Sequence, residues 1–228
     1  MIQDYDAIKW TIDRYIRLVR VHANKRIHDY NKGLCNPNSS VWNDPKERQE
    51  RFPEETWLAQ MAELAINQFI HGKRKGMTQY NKSRKKANKN PFKSDGRTDV
   101  LGFQADVKCS GLRAVAPYMS TQHLSVPWKD RQGGKPLELI PENIFVLAIV
   151  KPGDLNTEGP RETWRMVVYL VGWAWDHEFL YLEERGTFEN KWTIQAYKLH
   201  KMRNFPDLQR NGTKIMVTPH WMTEDIRI

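Results

Sequence analysis

Apolar and polar positions along the chain follow a helical period first and a strand period later. From Tyr5 to about Tyr30, "YDAIKWTIDRYIRLVRVHANKRIHDY", Ile8, Ile12, Tyr15, Ile16 and Val19 form a stripe with arginine, lysine and aspartate on the other side. That spacing predicts an amphipathic helix. "NKGLCNPNSSVWNDP" is dense in asparagine, proline, serine and glycine and reads as a loop. A second helix is predicted to begin near "FPEETWLAQMAELAINQFIHG". Pro53 suits a first turn, Glu54 and Glu55 suit the positive helix end, and Gly72 can stop the helix. This helix is apolar nearly all round, which predicts burial against a sheet.

Residues 72–94, "GKRKGMTQYNKSRKKANKNPFKS", interrupt the pattern with nine lysines and arginines and no acidic residue. They read as a basic loop. Strand signals follow at "TDVLGF", "QADVKCS", "QHLSVP", "NIFVLAIV", "TWRMVVYLVGWAW" and "KWTIQAY", separated by Gly, Pro, Asn and Asp clusters such as "KPGDLNTEGP". No internal repeat is visible. Helix, helix, basic loop and then strands predict an α/β (α+β) architecture with a mainly antiparallel or mixed sheet. The division expected is an N-terminal helical extension, residues 1–50, and one domain over residues 51–228 that contains the basic loop.

Charge narrows the partner. Lysine and arginine number 36 against 27 acidic residues, a net +9, which favours a polyanion and most simply nucleic acid. The two cysteines, Cys35 and Cys109, are far apart and form no C-x-x-C pair, so neither a disulfide framework nor a cysteine-rich zinc site is expected. "MIQDYDAIKW" lacks a basic stretch followed by an apolar one, so a signal peptide is not expected, and no apolar run approaches the ~20 residues of a membrane span. A cytoplasmic protein with no membrane partner is expected. His123, His177, His200 and His220 have no ligand spacing, and no P-loop is present.

The chemistry concentrates in "GRTDVLGFQADVKCSG", Gly96 to Gly111. On an extended strand Gln104, Asp106, Lys108 and Ser110 share one face, and Phe103, Ala105, Val107 and Cys109 share the other, the core face. Asp106 and Lys108 are then roughly 6.5 Å apart. A bend at Gly102 can bring Asp99 beside Asp106. Two converging carboxylates attract a hard divalent cation such as Mg²⁺. The backbone carbonyl of Val107 is a further candidate ligand. A lysine on the same face can orient an attacking water or stabilise an anionic transition state. Read alone, D-x-K also fits a salt-bridged solvated strand, and Asp99 also fits a turn. Glu63 adds a third acid on the apolar second helix, where a buried carboxylate needs a partner. A metal or Lys108 would serve. The other reading is a surface glutamate in a narrow polar seam with Gln60 and Asn67.

A helix with Glu63, then Asp99, then Asp106-x-Lys108 on the next strand resembles the PD-(D/E)xK nuclease superfamily, the restriction-endonuclease-like fold. The resemblance spans roughly residues 54–200 and extends to the later strands "FVLAIV" and "WRMVVYLVGWAW". Thr98 stands where the motif has proline, and the Asp99 to Asp106 spacing is short, so Asp95 is the alternative first acid. Asp99 is preferred, because "TDVLGF" begins a strand while "SDGR" reads as a turn. The resemblance implies a mixed central sheet flanked by helices, Mg²⁺ or Mn²⁺ as cofactor, and cleavage of nucleic acid, usually DNA. It implies that Asp99 and Asp106 ligate metal, that Glu63 binds it directly or through water, and that Lys108 acts on the water. Gln104 and Ser110 become supporting residues around that site. A small phage or bacterial member, acting in a bacterial or phage-infected cell, is what the resemblance suggests, with homodimers common among relatives.

Within the basic run Lys73, Arg74, Lys75, Lys82, Arg84, Lys85, Lys86, Lys89 and Lys93 are the expected phosphate contacts, and Tyr80 and Phe92 the expected base-stacking rings. Trp173 and Trp175 fall on one strand face and are expected in the core. The function expected is metal-dependent DNA endonuclease activity. Its rivals are a non-catalytic nucleic-acid-binding module on the same fold and a basic structural or assembly protein.

Overall fold

The isoleucine stripe near the N-terminus resolves into two elements rather than one helix. Ile8–Ile12 forms strand β1, and helix α1 runs over Ile16–Asn31. Ile8 and Ile12 satisfy both periods, but the intervening Trp10 also packs against the core, as strand alternation requires. The computed structural model describes residues 7–13, 16–34, 45–87, 99–100, 105–111, 123–127, 144–150, 165–175, 178, 191–205, 209–210 and 213–214.

Helix α2 spans Pro45–His71. It begins eight residues before Pro53, which therefore lies inside the helix rather than in its first turn. Tyr30 stacks on Phe52 with ring centroids 4.0 Å apart, fastening α1 to this early part of α2. Gly72 ends the helix at φ 77°, the left-handed turn that glycine adopts without penalty. The basic segment is not a loop. Lys73–Ala87 forms helix α3 directly after Gly72.

The strands that follow are β2 (Ala105–Gly111), β3 (His123–Pro127), β4 (Ile144–Val150), β5 (Met166–Trp175), β6 (Lys191–Gln195) and β7 (His200–Lys201), then a two-residue pair, β8 (Gln209–Arg210) and β9 (Thr213–Lys214). The segment read as a strand at "TDVLGF" is a bend at Asp99 and Val100, its two described residues from Asp99 onward. The main sheet has the order β1-β5-β4-β2, and β7 also pairs with β5. β2 and β4 are parallel, whereas β4, β1 and β7 run antiparallel to β5, so the sheet is mixed as expected. β1 belongs to this sheet, although its residues were expected in a helical extension. β3 and β6 pair in a separate two-stranded sheet.

Two cores follow from strand alternation. Ala105, Val107, Ile144, Val146, Ala148, Val168 and Leu170 face the helices, meeting Met61, Ala62, Ala65, Ile66 and Phe69 of α2. Phe145, Leu147 and Ile149 face the other way and pack with Leu124 of β3 and Ile194 of β6. A bulge in β5 at Val171 resets the parity. Trp173 thereby joins the helix-side core, with Trp175 against it, the two rings edge to face at 5.5 Å. Among the described residues no helix is long and apolar enough to cross a membrane.

Candidate active site

Helix α2 carries a polar seam at Thr56, Gln60, Glu63 and Asn67, one residue per turn, and all four are buried. Glu63 is therefore not a surface residue. The seam is covered by α3, whose Gly76, Tyr80 and Arg84 lie at four-residue spacing along one face. Gly76 makes the closest approach: a Cβ there would lie 2.4 Å from the Asn67 carbonyl oxygen and 2.4 Å from Gln68 Cα. The Tyr80 hydroxyl donates to Gln60 Oε1 at 2.8 Å, and its ring is fully buried. Tyr80 is thus a core residue and no base-stacking platform. Its phenol is shifted well upward by burial and then by the Glu63 charge, against the opposing effect of Arg84.

One turn further, Arg84 reaches the acids. Its Nε lies 2.9 Å from Glu63 Oε2, and its Nη2 donates to Asp99 Oδ1 at 3.0 Å. Asn67 fixes the same corner, donating through Nδ2 to the Glu63 carbonyl at 2.8 Å and to the Asp99 carbonyl at 2.9 Å. The second carboxylate oxygen of Asp99 accepts the backbone N–H of Val107 at 3.0 Å. A strand residue's N–H and C=O point to the same side. The Val107 carbonyl therefore lies on the β2 edge that faces Asp99.

Asp106 and Lys108 flank Val107 and project from the opposite face of β2. Lys108 Nζ sits 2.6 Å from Asp106 Oδ2 and 5.9 Å from the Phe145 ring centroid. Glu63 and Asp99 thus take a guanidinium from α3 as their cation, while Lys108 serves Asp106. Burial raises the Asp99 carboxyl well above 3.8, and the Glu63 and then Asp106 charges raise it further; Arg84 and the Val107 N–H oppose them. The Cys109 thiol, on the face that looks toward Glu63, is pushed up to about 12 by burial and by that glutamate.

Among the described residues no three His, Cys, Asp or Glu side chains are gathered as a metal ion would require. Each of the three acids meets a basic side chain: Glu63 and Asp99 share Arg84, and Asp106 has Lys108. In kind, the donors fit a hard divalent cation. Asp99 is held on the Val107 N–H, one residue from Asp106, and the repulsion it feels from Glu63 and Asp106 is charge that a cation would neutralise.

Of the basic run, Lys73, Arg74, Lys75, Lys82, Lys85 and Lys86 are exposed on α3, and Lys73 lies 3.7 Å from Asp13. Arg84 departs from that group, since it turns inward. Gln104, Lys89, Phe92, Lys93 and Asp95 lie outside the described residues, and Ser110 is described only as a backbone position of β2. Sequence reasoning missed the inward role of Arg84 and the pinning by Asn67. The available signal was the Gly76, Tyr80, Arg84 spacing opposite the Gln60, Glu63, Asn67 seam. No family model, curated protein or solved structure matches the chain.

Proposed function

We propose that the chain is a divalent-cation-dependent nuclease that hydrolyses phosphodiester bonds of DNA. The observation that carries this reading is the 3.0 Å hydrogen bond from the Val107 N–H to Asp99 Oδ2. It sets a buried carboxylate from the preceding bend against the residue between Asp106 and Lys108, on the edge strand of the sheet. A solvated strand face would give no reason for a buried acid at that point.

In this reading Asp99, Asp106 and the Val107 carbonyl would hold Mg²⁺ or Mn²⁺, with Glu63 joining directly or through a water. The cation, when bound, supplies Lewis acidity to a water and to the phosphate. Lys108 orients the attacking water and offsets charge that develops on the phosphate. The exposed lysines of α3 hold the backbone of the substrate without reading its bases. A second reading, a non-catalytic nucleic-acid-binding module, draws support from Arg84, which already neutralises Glu63 and Asp99.

The test is incubation of supercoiled plasmid, linear duplex, single strand and a four-way junction with Mg²⁺, Mn²⁺ or EDTA, for wild type and Lys108→Ala. Cation-dependent cutting by wild type that the variant loses by a factor of about 100 or more is expected. Undiminished cutting by the variant would remove Lys108 from the chemistry. DNA binding with no cutting of any substrate would select the binding module.

A further inference from the structure

Arg84 stands out from the other basic residues of α3. Its neighbours Lys82, Lys85 and Lys86 have exposed side chains or backbones, whereas the Arg84 side chain is 12% exposed and spans two acids on two different segments. The guanidinium occupies one oxygen of Glu63 and one of Asp99. A divalent cation that took both of those oxygens would have to displace it. A displaced guanidinium, anchored by its backbone to a helix that Gly76 and Tyr80 hold against α2, would still need an anionic partner close to that helix. Its planar fork matches a phosphate as well as it matches a carboxylate. The surrounding exposed lysines are where a phosphate would arrive.

We propose that Arg84 is a counter-ion gate: it holds Glu63 and Asp99 closed to divalent cations until a nucleic-acid phosphate on α3 draws it away. The proposal rests on the nuclease reading for its substrate class, and it makes cation binding and nucleic-acid binding mutually reinforcing. In the gate, Arg84 is a positioning residue. It touches the acids before substrate arrives and the phosphate afterwards, and it moves no proton.

Mn²⁺ affinity of the full chain, read by titration calorimetry, tests the gate without reference to cleavage. Arg84→Gln is expected to bind Mn²⁺ about tenfold more tightly than wild type. Lys85→Gln removes the same charge from the next residue, and screening limits its expected effect to about twofold or less. A short duplex, added in the Lys108→Ala background, is expected to tighten Mn²⁺ binding when Arg84 is present and to do little when it is Gln. Equal Mn²⁺ affinity in wild type and Arg84→Gln overturns the gate. If Arg84→Gln does not fold, Arg84→Lys carries the test, because its single ammonium cannot fork across both acids; Mn²⁺ affinity unchanged from wild type then overturns it. Cleavage by wild type with no change in Mn²⁺ affinity between variants removes the gate and leaves the nuclease reading. Tighter Mn²⁺ binding in Arg84→Gln with no cleavage anywhere does the reverse.

Discussion

Asp99 grips the backbone of Val107, its Oδ2 accepting the Val107 N–H at 3.0 Å while its Oδ1 accepts Arg84 at 3.0 Å. The first contact is made by an oxygen that asparagine also possesses. Asp99→Asn should therefore keep the bend in place and lose the negative charge. It sheds repulsion from Glu63 and Asp106 and gives up one ion contact with Arg84. At neutral pH the net change in stability is expected to stay within about 1 kcal/mol. Cleavage should be lost.

The same substitution has a pH signature. The Asp99 carboxyl is raised above its ordinary 3.8 in the fold, so folding favours its protonated form. Its contribution is fully present below that ordinary value and is lost as pH rises through the raised one. Asparagine does not titrate. Wild type should thus be most stable relative to Asp99→Asn at acid pH and lose ground as pH rises. Urea unfolding of both proteins across that range measures it, and a pH-independent gap would contradict the assignment.

His71, in the last turn of α2, works in the opposite direction. Burial, and then the charge of Lys75, lower it from 6.5 to about 4. Between those values the unfolded chain takes up a proton that the folded chain refuses, so stability falls as pH falls through that window. His71→Gln should flatten this part of the stability profile. Partial exposure of the ring to water moderates the size of the effect but leaves its sign. A profile unchanged between pH 6.5 and about 4 would show that His71 titrates alike in both states.

Gly76 sets how closely α3 lies on α2. A methyl group there would sit 2.4 Å from backbone atoms of Asn67 and Gln68, which no side-chain rotation can relieve. Alanine would improve intrinsic helix propensity, but parting the helices costs more, and Gly76→Ala is expected to lose about 1–3 kcal/mol. The displacement should also loosen Tyr80 from Gln60 and Arg84 from Glu63, since all three α3 residues share the stripe. Denaturant midpoints compare the proteins, and a stabilised Gly76→Ala would mean that the helices have room to separate.

How much of this was legible in the sequence depended on whether apolar period carried the signal. β2, β4 and β5 announce themselves through alternating or continuous apolar runs, and the faces assigned to Ala105, Val107, Asp106 and Lys108 follow from alternation alone. β1 was hidden because Ile8, Ile12 and Ile16 fit a helical stripe as well as a strand followed by a helix. α3 was hidden for a different reason. Its inward face is Gly76, Tyr80, Ser83 and Arg84, which is neither apolar nor uniform, because it packs on a polar seam. Lysines dominate the remainder, so a helix looked like a basic loop. Glu63, Asp99, Asp106 and Lys108 could be named from their chemistry. Their ion partners could not, since those depend on how two helices cross.

The exposed cations of α3 make the last prediction, and it separates contact from mere charge. Lys82, Lys85 and Lys86 are exposed, whereas Gly76, Tyr80 and Arg84 face α2. Replacing the three with glutamine should leave the fold intact. If each touches a phosphate, DNA affinity falls, and the slope of log affinity against log salt becomes shallower by about 2–3. Sequence preference should not change, because phosphate contacts carry no base information. Fluorescence anisotropy with a labelled duplex at several salt concentrations gives both quantities. A weaker affinity with an unchanged slope would mean that the lysines steer DNA from a distance, and the phosphates would then lie on another face. A shallower slope would place the backbone along α3, within reach of the one arginine on that helix that now serves the acids.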